Sequence, residues 1–277
     1  MERNVKLVIA YDGTRFHGWQ RQPETRTVQG MIEQAARRVL RHQVEVIGSG
    51  RTDAGVHASG QVANFVTTAG IPIDGLHRAI GSHLPKDVSL INAVEVPMTF
   101  NAIRSARGKV YRYRVYNASG RPVQRHVQRH TYHFWQPLEI ERMRQAARHM
   151  IGRLDFSAMA SKGRPHEDTV RTVQSIQVYR HYDEIRFDVF GRGFLYNQVR
   201  NMVGTLIEVG RGHWQPERVG EIMASRSRAQ AGPTAPARGL CLQWVRYVLR
   251  SIEQDHDCET VGSAGRTCSP QASGGPQ

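Results

Sequence analysis

Residues 48–60 read GSGRTDAGVHASG, a glycine-rich stretch with a single carboxylate, Asp53, near its centre. Runs of apolar and β-branched residues at 44–47 and 61–66 predict a strand on each side of this turn. The glycines permit positive φ and the close approach of another segment. Arg51 precedes Asp53 by two residues, and a permanent cation can keep a carboxylate ionised where solvent is excluded. An ordinary polar turn, in which Asp53 bonds its own backbone, is the alternative interpretation.

Three further stretches belong with this turn. Residues 11–22 (YDGTRFHGWQRQ) follow a β-branched run, residues 109–117 (KVYRYRVYN) alternate as a strand does, and residues 194–204 (FLYNQVRNMVG) lead into a helix. The turn lies between the first and second of these stretches in the chain. Taken together in chain order, the four motifs resemble those of the TruA family of bacterial tRNA pseudouridine synthases. The resemblance covers about residues 5 to 248.

The resemblance implies a reaction on tRNA. It breaks the N1–C1′ bond of a uridine, turns the base and rejoins it through C5, at positions 38, 39 and 40 of the anticodon stem-loop. It implies no cofactor and no metal. It also implies a homodimer in which one protomer grips the body of the tRNA while the other presents the site. The target uridine must leave its stack to be reached.

The match to the family assigns Asp53 as the catalytic residue. Whether its carboxylate attacks C1′ of the sugar, attacks the base or removes a sugar proton stays open at this point. Tyr111 matches the tyrosine that stacks on the target uracil, although a tyrosine in a strand is more often a packing residue.

The remaining site residues follow from the same match. Arg200 is expected to pair with Asp53 across the cleft and to hold its pKa low, and Leu195 is expected to line the site. Arg51 is expected to touch the RNA backbone or to help evert the base. His57 is expected to orient the turn, with a purely structural role as the alternative.

One segment departs from the family pattern. Where the family commonly reads Phe-x-Ala-Arg-Phe-Ser-Ala, residues 100–106 read FNAIRSA, so the arginine is displaced by one position to Arg104. A shift of one position in a strand moves a side chain to the opposite face. We therefore expect Arg104 not to take over that arginine's RNA contact.

Composition indicates a nucleic-acid partner. The formal net charge is +14, and of 38 basic residues all but four are arginine, which contacts phosphate bidentately and stacks on bases. No window approaches the roughly 18 apolar residues of a membrane helix, and the N-terminus lacks a signal-peptide core. The three cysteines form no metal or disulfide pattern. We expect a soluble, cytoplasmic protein that does not bind membranes.

The pattern of elements predicts an α+β fold. Strands are expected at 5–11, 88–96, 111–116, 173–179, 185–190 and 240–248, and helices at 27–42, 76–84, 137–151, 198–209 and 216–223. The family resemblance implies two ferredoxin-like halves, residues 1–106 and 107–250. Their antiparallel sheets would join into one central sheet, with helices on one face and the active cleft between the halves. The aperiodic residues 251–277 are expected to form a disordered tail.

Two other functions are compatible with parts of the sequence. A non-catalytic tRNA-binding protein would keep the basic surface and would tolerate the loss of Asp53. A metal-dependent ribonuclease could use His126, His130 and His133, which lie in the basic loop 121–133. We favour a phosphate-contacting surface for that loop, because no cysteine or acidic ligand is near the histidines in sequence. Arg21, Arg26, Arg37, Arg38 and Arg41 are candidates for the same RNA track.

Overall fold

The computed structural model describes residues 1–161 and 168–247. Within them, the strands are β1 (Arg3–Tyr11), β2 (Ile47–Gly48), β3 (His57–Thr67), β4 (Val88–Val96), β5 (Ala106–Tyr116), β6 (Tyr132–His133), β7 (Gly152–Asp155), β8 (Val170–His181), β9 (Glu184–Gly191) and β10 (Leu240–Tyr247). They form one sheet in the order β4-β1-β3-β10-β5-β9-β8-β7, with β2 beside β3 and β6 beside β5. Most pairs are antiparallel. The predicted α+β class with one central sheet is confirmed.

The helices are α1 (Val28–Leu40), α2 (Ile73–Ser82), α3 (Arg125–His130), α4 (Ile140–Ala147), α5 (Gln198–Gly210) and α6 (Arg218–Ser225). The first of them shows how the sequence sets its bounds. The Thr27 side chain accepts a hydrogen bond from the Gly30 amide at the start of α1, and Arg41 ends the helix in a left-handed conformation with φ 63°. None of the described helices is long and apolar enough to cross a membrane.

A parallel pairing joins the first and last parts of the chain. Cys241 and Leu242 of β10 lie opposite His57 and Ala58 of β3, and β10 pairs antiparallel with β5 on its other side. The start of β3 therefore lies close to the middle of β5. This junction positions the site, although the division into halves at residues 106 and 107 remains a prediction.

Around β5, the two faces of the sheet carry different kinds of side chain. Tyr111, Tyr113 and Val115 alternate into the core that the helices cover, whereas Arg112 and Arg114 point to the opposite face. There each arginine makes a bidentate ion pair, Arg112 with Asp188 and Arg114 with Glu184. The site lies on the helix-covered face.

Several element bounds differ from those the sequence predicted. Of the run 44–47 only Ile47 is in a strand, and β3 begins at His57 rather than Gln61 because residues 57 and 58 pair with β10. Within the basic loop, residues 125–130 form the short helix α3. The expected disordered tail, 251–277, lies outside the described residues.

Candidate active site

Asp53 lies on the loop of residues 48–56, which we call the Asp53 loop. The segment that follows β1 fixes this loop in place. The Trp19 amide donates to the Thr52 carbonyl at 3.0 Å, and the Gly55 amide donates to the Phe16 carbonyl at 3.3 Å. The motif at residues 11–22 and the glycine-rich motif at residues 48–60 therefore pack against each other, and their hydrogen bonds fix the backbone on both sides of Asp53.

Two glycines make this close approach possible. A Cβ atom on Gly13 would lie 2.0 Å from the Val56 carbonyl oxygen, and one on Gly18 would lie 2.6 Å from the Thr52 carbonyl oxygen. Gly18 also has φ +89°, which side chains disfavour. Any larger residue at either position would push the N-terminal segment away from the Asp53 loop.

A buried hydrogen bond supports the loop from β1. The Tyr11 hydroxyl lies 2.7 Å from Oγ1 of Thr52, the residue before Asp53. Sequence reasoning assigned no role to this pair. Tyr11 ends β1, so the strand that pairs with β3 also holds the loop at its most important point.

Arg200 approaches Asp53 from the first turn of α5. Its Nη1 atom lies 3.5 Å from Oδ2 of Asp53, at the outer limit of a hydrogen bond. Shorter bonds hold the guanidinium in place: Nε donates to the Ala235 carbonyl and Nη1 donates to Oδ1 of Asn197, each at 2.7 Å. The structure thus brings the two predicted partners together, with Arg200 anchored independently of Asp53.

The pKa of Asp53 corrects one expectation. The Asp53 side chain is 22% exposed, and burial raises the pKa of its carboxyl above its ordinary value, while the charge and the hydrogen bond of Arg200 lower it. Burial is the larger effect, so the expectation that Arg200 holds this pKa low is wrong. Arg200 limits a rise that it does not reverse.

Tyr111 and the apolar residues line the same region. The Tyr111 ring is buried and meets the edge of Phe194, with ring centroids 5.3 Å apart and planes at 89°. Burial raises the pKa of Tyr111, and the nearby Asp53 charge adds to the rise. Leu195 is also buried, and its amide donates to Oε1 of Gln198. An aromatic ring and a carboxylate therefore lie in the same region of the molecule.

His57 is engaged through both ring nitrogens. Nδ1 accepts the Gly13 amide at 3.1 Å, and Nε2 lies 3.1 Å from the Arg129 carbonyl, to which it donates. The ring is almost wholly buried, and burial lowers the pKa of His57 to about 4. A neutral imidazole therefore ties the end of the Asp53 loop to the segment that follows β1 and to α3.

Arg51 is placed differently from the other predicted site residues. It is exposed, and its Nε donates to Oε1 of Gln20 at 3.1 Å. Within the described parts of the chain it has no carboxylate partner. Its guanidinium is accordingly free to meet an anionic ligand at the rim of the Asp53 loop.

The histidines of the basic loop do not gather into the trio that a ribonuclease would need. Nε2 of His133 bonds the Ala118 carbonyl. His130 lies instead with Asp12 and His57, with one ligand atom of each within 4.8 Å of the others. Asp12 lies 3.2 Å from Nδ1 of His57 and 3.9 Å from Nε2 of His130, and both nitrogens of His57 already have backbone partners.

The segment with the displaced arginine is a turn rather than a strand. Oδ1 of Asn101 accepts the amides of Ile103 and Arg104, each at 3.0 Å, and both of those side chains are exposed. The expectation based on opposite strand faces therefore does not apply. Phe100 and Ala102 are buried in a small cluster with Val62, separate from the main core.

The candidate RNA track is only partly available. Arg26 makes a bidentate pair with Asp87 and lies over the Phe16 ring at 4.1 Å, and Arg21 lies 3.5 Å from Glu33. The other three candidates, all on or just after α1, are exposed: Arg37, Arg38 and Arg41. Arg26 is best regarded as a structural residue.

A half-buried carboxylate beside an anchored guanidinium and near an aromatic ring is a set of groups typical of an enzyme active site. Comparison with known proteins identifies the family. The family described as tRNA pseudouridine synthase matches residues 7–104 and 146–248. The chain therefore belongs to the tRNA pseudouridine synthases, enzymes that isomerise uridine to pseudouridine in tRNA.

Individual relatives match over most of the chain. A protein of Acetivibrio thermocellus is 46% identical over 88% of this chain and 100% of its own length. One of Moorella thermoacetica is 44% identical over 88% and 99%, and one of Halalkalibacterium halodurans is 44% identical over 86% and 90%. All three are named tRNA pseudouridine synthase A. Nothing in these comparisons favours a non-catalytic tRNA-binding protein or a ribonuclease.

Proposed function

We propose that the protein converts uridine to pseudouridine at positions 38, 39 and 40 of the anticodon stem-loop, with Asp53 as its catalytic carboxylate. The observation that supports Asp53 most strongly is its position. Its carboxylate lies beside Arg200 and close enough to Tyr111 to act on its pKa, on a loop that two backbone hydrogen bonds from the segment after β1 hold in place. A carboxylate in such a place can attack a carbon or take a proton.

The reaction needs no external reactant. The N1–C1′ bond breaks and a C5–C1′ bond forms. C5 loses a proton and N1 gains one, so the product has the same atoms as the substrate. The uracil must be retained after its bond breaks. Tyr111 offers an aromatic face, and stacking of a base on such a face contributes about 1–3 kcal/mol. Leu195 would close the pocket beside it.

The cations of the site would act on charge. Arg200 favours the ionised form of Asp53 against the effect of burial. Arg51, exposed and without a carboxylate partner among the described residues, would contact a phosphate beside the everted nucleotide. His57, neutral and hydrogen-bonded at both nitrogens, would hold the loop without moving a proton.

Assembly and location belong to the same proposal. We infer a homodimer in the cytoplasm, in which each protomer grips the tRNA presented to the site of the other. The large positive charge supports a polyanionic partner of extended surface. Light scattering of the free protein would test the dimer, with twice the mass of one 31.3 kDa chain as the expected result.

The function is tested by incubating an unmodified tRNA transcript with the protein in a chelator and then mapping pseudouridine base by base. We expect pseudouridine at positions 38–40 with RNA mass and length unchanged. Transcripts with cytidine at those three positions are the control and should remain unmodified. Product at other positions only would contradict the proposed target, and shortened RNA would indicate a nuclease.

A further inference from the structure

Lys109 is a partly buried cation that the proposed mechanism leaves unused. It lies on β5, two residues before Tyr111, so both side chains point to the same face of the sheet about 7 Å apart along the strand. Burial lowers the pKa of Lys109 to about 8. Within residues 1–161 and 168–247, no carboxylate pairs with it. A buried lysine without an acidic partner is costly and therefore calls for a functional explanation.

The ammonium of Lys109 contacts the backbone of the Asp53 loop. Nζ donates to the Ser49 carbonyl at 2.7 Å. It also fills the space beside Gly50, where a Cβ atom would lie only 2.5 Å from Nζ. The absence of a side chain at position 50 is what lets the ammonium sit against the loop.

The contact joins two parts of the site that are far apart in sequence. Gln61 of β3 also holds the Asp53 loop, because its Nε2 donates to the Gly50 carbonyl at 3.0 Å. Lys109 holds the neighbouring carbonyl, that of Ser49, from the strand that carries Tyr111. The ammonium of Lys109 is therefore a direct link between the Asp53 loop and the strand that carries the stacking ring.

We propose that Lys109 is a positioning residue for pseudouridine formation, whose ammonium clamps the Asp53 loop to the strand of Tyr111. This inference rests on the proposed roles of Asp53 and Tyr111. Neutral lysine keeps a lone pair and loses a donor and its charge, so its grip on the Ser49 carbonyl weakens. The rate should then fall as the pH rises through the pKa of Lys109.

The groups around Lys109 do not offer another explanation for such a fall. Its cross-strand neighbours, Gly191 of β9 and Val245 of β10, carry no charge. Tyr111 on its own strand and Tyr247 on β10 both have a pKa that burial raises well above 10. In the Asp53 loop, the charged side chains are those of Asp53 and Arg51. Deprotonation of Asp53 would raise the rate with rising pH and not lower it, because its carboxylate is the proposed catalyst.

The test compares Lys109→Met, Lys109→Arg and the parent by single-turnover rate and tRNA affinity between pH 6 and 10. Lys109→Met should slow the reaction about ten- to a hundred-fold at pH 7, as expected for a misplaced catalytic group. Its tRNA affinity should stay within about three-fold of the parent's, because the ammonium lies under the loop and not on the RNA surface. Lys86→Met, at an exposed lysine, is the matched control and should keep both the rate at pH 7 and the fall above pH 8.

Lys109→Arg should recover most of the rate and lose the fall near pH 8, because arginine stays charged. Methionine has nearly the length of lysine but carries no charge, so Lys109→Met removes a buried charge and keeps most of the packing. We therefore expect the thermal unfolding midpoint of Lys109→Met not to drop. A parental rate in Lys109→Met would overturn the proposal, and so would a fall near pH 8 that persists in Lys109→Arg. A slow Lys109→Met with a lowered midpoint would make Lys109 a structural residue. Absence of pseudouridine from the parent would refute the proposed function instead.

Discussion

Two aspartates of this protein have nearly the same exposure and opposite electrostatics. The side chains of Asp53 and Asp87 are 22% and 23% exposed, and each lies beside one arginine. Arg26 holds both oxygens of Asp87, at 2.8 and 2.7 Å, and these bonds lower the pKa of Asp87. Arg200 reaches one oxygen of Asp53 at 3.5 Å, and burial raises the pKa of Asp53 despite it.

The difference has two causes: burial has the largest effect on the pKa of Asp53, whereas the hydrogen bonds from Arg26 have the largest effect on that of Asp87. The two arginines also use their donors differently. Arg26 directs its fork at the carboxylate, the geometry of a structural ion pair. Arg200 uses its shortest bonds on Ala235 and Asn197, which leaves Asp53 loosely held. A carboxylate whose oxygens are saturated is a poor nucleophile or base. The loose pair is thus the one suited to chemistry, and the tight pair to stability.

The largest expected effect separates the two aspartates. Asp53→Asn should lower the single-turnover rate at least about 10³-fold, as loss of a reacting group does, while tRNA still binds. Asp87→Asn should keep the rate within a few-fold and cost about 1 kcal/mol or less in unfolding free energy, because its pair is partly exposed. Pseudouridine mapping and chemical denaturation measure the two effects. A near-parental rate in Asp53→Asn would refute its catalytic role.

The two arginines should differ in the same direction. Arg200→Met should slow the reaction about 10²-fold, the cost of removing one preorganised donor from a site. It should also raise the pKa of Asp53 further, so the acid limb of the pH–rate profile moves to higher pH. Arg26→Met should leave that limb unchanged. An acid limb that stays in place in Arg200→Met would show that Arg200 does not act on Asp53.

Tyr111 tests the proposed stacking surface near Asp53. Tyr111→Ala should lose about 1–3 kcal/mol of stacking, about five- to 150-fold in rate. Tyr111→Phe keeps the ring and should stay within a few-fold of the parent, because the hydroxyl has no hydrogen-bond partner among the described residues. Single-turnover rates of both variants decide the point. Equal rates near the parental value would reject the stacking role.

The smallest expected effect concerns the support of the loop. Tyr11→Phe removes the bond to Thr52 next to Asp53, and it should cost about 1 kcal/mol of unfolding free energy and a few-fold in rate. A single-turnover rate of Tyr11→Phe equal to the parental rate would show that the loop does not need this hydrogen bond and that the backbone bonds from residues 16 and 19 suffice.

Local patterns predicted much of the fold. Thr27 before an amphipathic run predicted α1, and the β-branched run 88–96 with Pro97 after it predicted β4 with the bounds observed. Four motifs in family order indicated which residues would meet. These features depend on residues close together in the chain, so the sequence displays them directly.

The rest depends on contacts between distant residues. Only the fold brings the Ala235 carbonyl to Arg200, or Lys109 under Ser49. The direction of the Asp53 pKa needed the balance of burial against one long contact, which no motif reports. Sequence could have flagged Lys109 in one respect, since it is one of four lysines in an arginine-rich chain and stands inside a motif.

The comparison is tested most directly by carbon-13 NMR titration of the two carboxyl groups, assigned with Asp53→Asn and Asp87→Asn. We expect the pKa of Asp53 to lie above the ordinary aspartate value of about 3.9 and that of Asp87 to lie below it. A pKa of Asp53 equal to or lower than that of Asp87 would contradict the loose pairing of Asp53, because Asp53 would then be a second tightly paired structural carboxylate.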